Sequence, residues 1–287
     1  MLSGMKNTFI VLSLASLLAI AGSYGGLSYR GLPIFALCAA VAFALQWLAF
    51  MPAYYLQTEK FYDLTGSVTF ITIVVLAWTL GGRQDPRSTV LAAFILLWAL
   101  RLGSFLFRRI LTDGKDTRFD RIKPIASRFF FTWTLQGLWV LTTSACALAA
   151  MTAPEPVDLQ WFDVAGVAVF IAGFTIEVVA DRQKRAHRSL HGAGEFIKSG
   201  LWRYSRHPNY FGEITLWCGV AMLAVPALSG WQWFTLVSPV FVFFLLTRIS
   251  GIPLLERKAA ERWGKDPEYQ SYCKRTPVLI PGRTSKN

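Results

Sequence analysis

Long apolar runs alternate with short polar connections along this chain, and the alternation predicts its elements. Eight apolar runs stand out, near residues 8–27, 32–52, 64–81, 88–108, 129–152, 160–180, 212–229 and 231–249. Each is close to the roughly 17–25 residues that cross about 30 Å of hydrocarbon as a helix. Lipid offers backbone groups no hydrogen-bond partners, so spans must satisfy their own. The expected fold class is therefore all-α, a polytopic transmembrane helical bundle of seven to eight spans with cytosolic basic loops. We read residues 1–287 as a single membrane-embedded domain. The first run lacks a cleavage site in front of a soluble domain and reads as a retained helix. Gly22, Ser23, Gly25 and Gly26 predict a turn between the first two spans.

Composition agrees with this class, because 54% of the residues are apolar. The net charge of +12 would suggest a nucleic-acid partner in a soluble protein. Here the basic residues gather in connections, so topology and anionic lipid account for them. We expect a lipid bilayer as partner and no nucleic acid. Loop 109–128 carries Arg109, Lys115, Arg118, Arg121, Lys123 and Arg128, and loop 181–211 carries seven more Lys and Arg. Loop 153–159 has Glu155 and Asp158 and no base. The positive-inside rule then places the basic loops and the tail in the cytosol, with Arg30, Arg83 and Arg87 against the trend. Four cysteines form no CxxC pair and read as small buried hydrophobes. The three histidines show no regular ligand spacing, so no metal is expected. No Gly-x-Gly-x-x-Gly follows a strand, which excludes a Rossmann nucleotide site.

Five clusters are chemically dense. Gln57, Glu59, Tyr62 and Asp63 lie at the start of the third span, where Asp63 is either a helix cap or, with Tyr62, a proton or hydrogen-bond donor. Arg101 lies about two turns, roughly 10 Å, inside the fourth span and needs a partner or a cavity there. Gln136, beside Gly137, is a plausible polar neighbour. Lys115 and Arg118 sit in an alternating-charge loop, either a solvated surface or a phosphate contact. Glu177, Asp181, Arg185 and Arg188 fall at i, i+4, i+8 and i+11 on one helix face. The densest stretch is Leu201–Glu213, with Arg203, Arg206, His207, Asn209, Tyr210 and Glu213 directly before an apolar run; Arg248 and Glu256 follow that run's successor. Polar groups at the mouth of a bilayer suit a phosphate-rich cofactor or a plain cytosolic flank. The basic amphipathic tail, Lys258–Tyr272, suits the membrane surface.

Residues Ile176–Arg188, Leu201–Glu213 and Arg248–Pro281 together resemble the C-terminal region of the steroid 5-alpha-reductase family. The resemblance covers roughly residues 100–281, and residues 1–60 read as extra N-terminal helices. It implies a helical membrane bundle enclosing NADPH at its cytosolic half. By that resemblance Asp181, Arg185, Arg188, Asn209, Glu213 and Arg248 contact the cofactor, with Arg203, Arg206, His207 and Tyr210 in the same region; Lys115, Arg118, Glu177 and Glu256, from the clusters above, are further cofactor-binding candidates. The family's early Gln-Glu pair and later Tyr hold the substrate carbonyl. One register puts Tyr62 and Asp63 at the pair and Arg101 at the Tyr; another uses Gln57 and Glu59 for the pair. Glu177 stands where the family has Asn. The implied activity is NADPH-dependent hydride transfer to the conjugated C=C of a 3-oxo-Δ4-steroid or similar apolar enone, by a monomer in a bacterial inner membrane. An Arg-His-Pro-Asn-Tyr stretch is similar in isoprenylcysteine-methyltransferase-like enzymes. S-adenosylmethionine-dependent methyl transfer is therefore one alternative, and a non-catalytic sterol- or lipid-binding protein is another.

Overall fold

The computed structural model describes residues 2–81, 85–192 and 194–282. Arg83 and the Ser285–Asn287 end lie outside the described residues. The protein is almost wholly helical: α1 Leu2–Gly22, α2 Ile34–Tyr55, α3 Tyr62–Leu80, α4 Pro86–Asp113, α5 Ala126–Met151, α6 Asp163–His191, α7 Pro208–Ala224, α8 Val237–Phe244, α9 Ile252–Trp263 and α10 Pro267–Arg275. Among the described residues seven stretches are long and apolar enough to span a membrane. These are Ile34–Tyr55, Tyr62–Leu80, Pro86–Thr112, Ala126–Met151, Asp163–His191, Pro208–Ala227 and Gly230–Trp263. Lys6–Gly22, within α1, is a shorter apolar helix. The chain is an integral, multi-pass membrane protein of the all-α class.

The expected glycine turn after α1 exists and ends in a feature not predicted, a two-residue hairpin pairing Ser28–Tyr29 with Leu32–Pro33. Arg30 and Gly31 both have positive φ, 50° and 82°, the requirement of a tight primed hairpin turn.

The chain divides into two compact units. The first comprises Met1–Trp161 and Val220–Ser238. Its centre is α5, buried on every face from Val140 to Met151, which packs against α1, α2, α3 and α4. Those positions are mostly Ala, Ser, Thr and Cys, and small residues let helices approach closely where lipid provides no hydrophobic drive. Interhelical hydrogen bonds add to this: Gln46 Nε2 donates to Thr69 Oγ1 at 2.8 Å, and Trp47 Nε1 to Thr134 Oγ1 at 3.1 Å. At the start of α4, Asp85 accepts from the Ser88 N–H at 3.0 Å with Pro86 next in line, a well-formed cap. Arg87, which ran against the charge trend, is 2% exposed. Its guanidinium donates to the carbonyls of Val157, Leu223 and Asp158 at 3.0, 2.6 and 3.0 Å. It is a buried structural pin and not a loop charge, which explains its place outside the positive-inside count.

The second unit comprises Phe162–Gly219 and Pro239–Asn287. Here α6 and α7 meet backbone to backbone at glycines. A Cβ on Gly173 would lie 2.6 Å from the Gly212 carbonyl oxygen, and one on Gly219 would lie 2.6 Å from the Phe170 nitrogen. Beyond α8 the helix widens to π geometry over Leu245–Ile249, bends at Ser250 and Gly251, and resumes as α9. The expected amphipathic tail is two helices, because Asp266 caps α10 and Pro267 starts it.

Candidate functional site

In the first unit the candidates cluster at the start of α3. The cap of α3 is Phe61, so Asp63 lies in the first turn instead of capping it. Asp63 Oδ2 pairs with Arg109 Nη2 of α4 at 3.3 Å. The Tyr62 hydroxyl donates to the Thr132 carbonyl at 3.1 Å, and its ring stands edge-on to Phe119 and Trp133. Gln136 donates to the Tyr62 carbonyl at 3.1 Å, so it serves α3 rather than Arg101, the neighbour expected from sequence. The Arg101 guanidinium lies over the Phe105 ring, 5.3 Å from its centroid, one turn along α4.

Glu59 is 4% exposed and ties down the 113–125 loop. It accepts from the Asp116 N–H at 2.8 Å and pairs with Lys123. Gln57 is exposed, has φ of 49°, and donates to the Tyr54 carbonyl at 2.7 Å, closing its own turn. Lys115 pairs with Asp120 at 3.2 Å. Arg118 Nε bonds Asp116 at 2.8 Å. Burial alone would raise the Asp116 carboxyl, but the Arg118 hydrogen bonds and charge hold it below its usual range.

In the second unit the Leu201–Glu213 stretch is built as an anchored bend. Gly200, at φ 60°, turns the chain so that the Leu201 N–H reaches Gln183 Oε1 at 2.9 Å. Trp202 Nε1 donates to the Ala180 carbonyl at 3.1 Å, and the Lys184 ammonium sits 4.9 Å from the Trp202 ring centroid. The chain's end clips back on the same bend. The Arg206 N–H donates to the Pro277 carbonyl at 2.9 Å, Ser205 Oγ to Leu279 at 2.7 Å, and Tyr272 Oη to Trp202 at 2.7 Å. Pro208 then opens α7, where a proline loses no helix bond.

Glu256 of α9 takes both neighbours, with Oε2 2.7 Å from Arg206 Nη1 and Oε1 2.7 Å from His207 Nε2. Burial holds the His207 imidazole below its usual pKa, with the Glu256 hydrogen bond pulling the other way. The His207 and Tyr210 rings stack at 5.7 Å. Asn209 Nδ2 donates to Asp181 Oδ1 at 3.2 Å, joining α7 to the α6 stripe. Asn209 Oδ1 is buried with no hydrogen-bond partner among the described residues. Along the stripe burial falls steadily: Glu177 and Asp181 are buried, Arg185 and Arg188 exposed. Glu213 and Tyr210 are half-buried; Arg203 and Arg248 are exposed, the latter on the π-helical stretch.

A cavity of about 450 Å³ opens within this unit. Four sequence candidates line it: Arg188, Arg206, His207 and Glu256. Sequence reasoning missed its other walls, the cations Lys184, Lys258 and Arg262 and the rings of Phe196, Trp202, Trp263, Tyr269 and Tyr272. The available signal was the amphipathic tail, whose Tyr269 and Tyr272 share one helix face and pack on Phe196. The remaining cofactor candidates of this unit are not among the lining residues, and Lys115 and Arg118 belong to the first unit.

Residues 49–276 match the profile of a family described as a protein of unknown function, DUF1295. An uncharacterised protein of Schizosaccharomyces pombe is 24% identical over 246 residues, 74% of this chain and 69% of the relative. The 3-oxo-5-alpha-steroid 4-dehydrogenase 1 of Rattus norvegicus is 30% identical over 197 residues, 68% of this chain and 67% of that one. The steroid 5-alpha-reductase DET2 of Gossypium hirsutum is 30% identical over 122 residues, 42% of each chain. No solved structure gives a significant match. With a family profile over most of its length and a steroid reductase aligned across two thirds of both chains, this protein belongs to the DUF1295 family, within the steroid 5-alpha-reductase-like group.

Proposed function

We propose that the protein is an NADPH-dependent membrane reductase that saturates the conjugated C=C of a 3-oxo-Δ4-steroid or similar apolar enone. Its active face is the cytosolic side of a bacterial inner membrane. The observation that carries this reading is the 197-residue match to the rat 3-oxo-5-alpha-steroid 4-dehydrogenase.

The residues of the second unit fit such a cofactor chemically. Arg188, Arg206, Lys184, Lys258 and Arg262 around one cavity supply the charge that phosphates need, and guanidinium groups bind them bidentately. The lining aromatic rings offer faces to an adenine. The buried Asn209 Oδ1 suits an amide N–H. Asp181 orients Asn209, while Glu256 fixes Arg206 and His207 in place. When bound, NADPH supplies a hydride to the electron-poor carbon of the enone.

The chain's own part on the substrate side is to stabilise negative charge as it moves onto the carbonyl oxygen. A pre-placed donor there is worth roughly 3–4 kcal/mol. Arg101 and Tyr62, whose hydroxyl donates to the Thr132 carbonyl at 3.1 Å, are the two candidates for that donor. Asp63, paired with Arg109, positions the first turn of α3. Glu59 holds the neighbouring loop through Lys123 and Asp116.

Purified protein tests the cofactor reading directly. NADPH fluorescence should change on binding, and Arg188→Ala and Asn209→Ala should each weaken that binding. Wild-type affinity in both variants would contradict the assignment, as would methyl transfer from labelled S-adenosylmethionine.

A further inference from the structure

We propose that His187, His191 and Glu195 form a binding site for one divalent transition-metal ion, with zinc the favoured occupant. One potential ligand atom from each residue lies within 4.8 Å of the other two. The histidines are one turn apart on α6, the spacing that puts two imidazoles on one helix face. The glutamate arrives by a separate device. α6 ends at His191 and is capped by Gly192, whose φ of 68° takes the chain out of the helix.

Glu195 is held on both sides. Trp263 Nε1 donates to the Gly194 carbonyl at 2.6 Å. Phe196 is buried, with its ring centroid 5.1 Å from Tyr269 and 5.4 Å from Tyr272. The carboxylate is therefore carried by an anchored loop and does not depend on chance proximity.

Two further observations concern the imidazoles. His191 Nδ1 lies 3.1 Å from the His187 carbonyl, so a proton on Nδ1 leaves the Nε2 lone pair available to a metal. His187 Nε2 is buried with no hydrogen-bond partner among the described residues. The two rings stack 4.4 Å apart and 20° from parallel, so an ion enters as the exposed His191 ring swings off its neighbour. Bonds of about 2.0–2.2 Å place tetrahedral ligand atoms roughly 3.4 Å apart. Rotation of the exposed His191 and Glu195 side chains supplies that contraction. Two imidazoles and one carboxylate select zinc, cobalt, nickel or iron over magnesium or calcium. Since His187 and Glu195 also line the 450 Å³ cavity, the ion would pin one wall of it to the end of α6. The inference is independent of the NADPH reading and departs from the expectation, drawn from the spacing of the histidines, that the chain holds no metal.

The test uses full-length protein purified in detergent through a histidine-free tag, stripped with a chelator and kept free of nucleotide. Co²⁺ is titrated by its d–d absorption, and Zn²⁺ by competition with a chromophoric chelator. One equivalent should bind per chain. His187→Ala and His191→Ala should each weaken binding at least about 100-fold and Glu195→Gln about 10-fold, while His207→Gln leaves it unchanged. Zn²⁺ should also raise the unfolding temperature of the wild-type protein, a readout that needs no variant to fold. Absence of both the Co²⁺ spectrum and the Zn²⁺-dependent shift would overturn the proposal, and so would stoichiometric binding that survives loss of both histidines.

Discussion

At the residue scale Glu256 is the most informative side chain of the second unit, because it serves Arg206 and His207 together at 2.7 Å each. Glu256→Gln keeps the size but removes the charge, so NADPH binding should weaken through its two partners by about 10-fold, roughly 1.4 kcal/mol. Titration calorimetry on wild type and variant reads this; equal affinities would show that the clasp does not position the cofactor residues. His207 gives a pH dependence with a definite sign. Burial lowers its pKa below the usual 6.5, Glu256 opposes that, and Lys184 and Arg206 add to it. The folded state thus binds fewer protons than the unfolded chain in that interval. The buried neutral ring's contribution is complete above pH 6.5 and is lost as pH falls through the folded value. Between pH 6.5 and that folded value the unfolding temperature should fall on acidification more steeply for wild type than for His207→Gln, and parallel curves would contradict the buried-histidine account. In the first unit, Asp63→Asn should lower turnover while leaving NADPH affinity unchanged, since its partner is Arg109 of the same unit.

At the element scale the α6–α7 contact depends on having no side chain where the backbones meet. A Cβ at Gly212 would lie 2.6 Å from the Gly173 carbonyl oxygen and 2.6 Å from the Glu177 nitrogen. Neither is the end of a flexible group, so the helices must part. Gly212→Ala should cost at least about 2 kcal/mol, in the range of overpacked cores. Gly194→Ala, with no atom within 4 Å of the new Cβ, should be neutral. Thermal unfolding in detergent compares them, and equal midpoints would refute the close approach. This contact also marks what a sequence reader can and cannot see. Hydrophobic run length is a local property, so the spans from Ile34–Tyr55 to Ala126–Met151 were legible within a few residues. Gly173 and Gly212 lie in separate apolar runs, and only tertiary packing shows that they meet. The hairpin at Arg30 and Gly31 escaped because two-residue strands have no periodicity to read. In the site, Arg206, His207 and Glu256 were legible as a dense polar set, whereas the aromatic walls from Trp263 and Tyr269 lay in what reads as a surface tail, and Phe196 in what reads as a charged loop. Glu59 was grouped with the catalytic candidates because a carboxylate looks alike whether it reacts or braces a loop; its bonds to Lys123 and the Asp116 N–H fit the brace.

At the scale of the whole molecule, the charge pattern and the spans make one prediction about sidedness. Two spans, Ala126–Met151 and Asp163–His191, separate the 113–125 loop from the 192–207 loop, so both should face the same side, the cytosol under the positive-inside rule. Single cysteines introduced at Lys115 and Lys198 should be labelled together from the cytosolic side of oriented vesicles, and labelling of either from the opposite side would break the topology. The activity proposed for this multi-pass protein is reduction of an apolar enone with hydride from NADPH. The most direct measurement supplies purified protein in lipid with NADPH deuterated at the transferring position and a 3-oxo-Δ4-steroid, and reads the product by mass spectrometry. A saturated product carrying one deuterium should form only with cofactor and protein together and be suppressed in the Arg101→Leu variant. Saturation without deuterium, or bound NADPH that never delivers it to any enone offered, would show that the protein is not such a reductase.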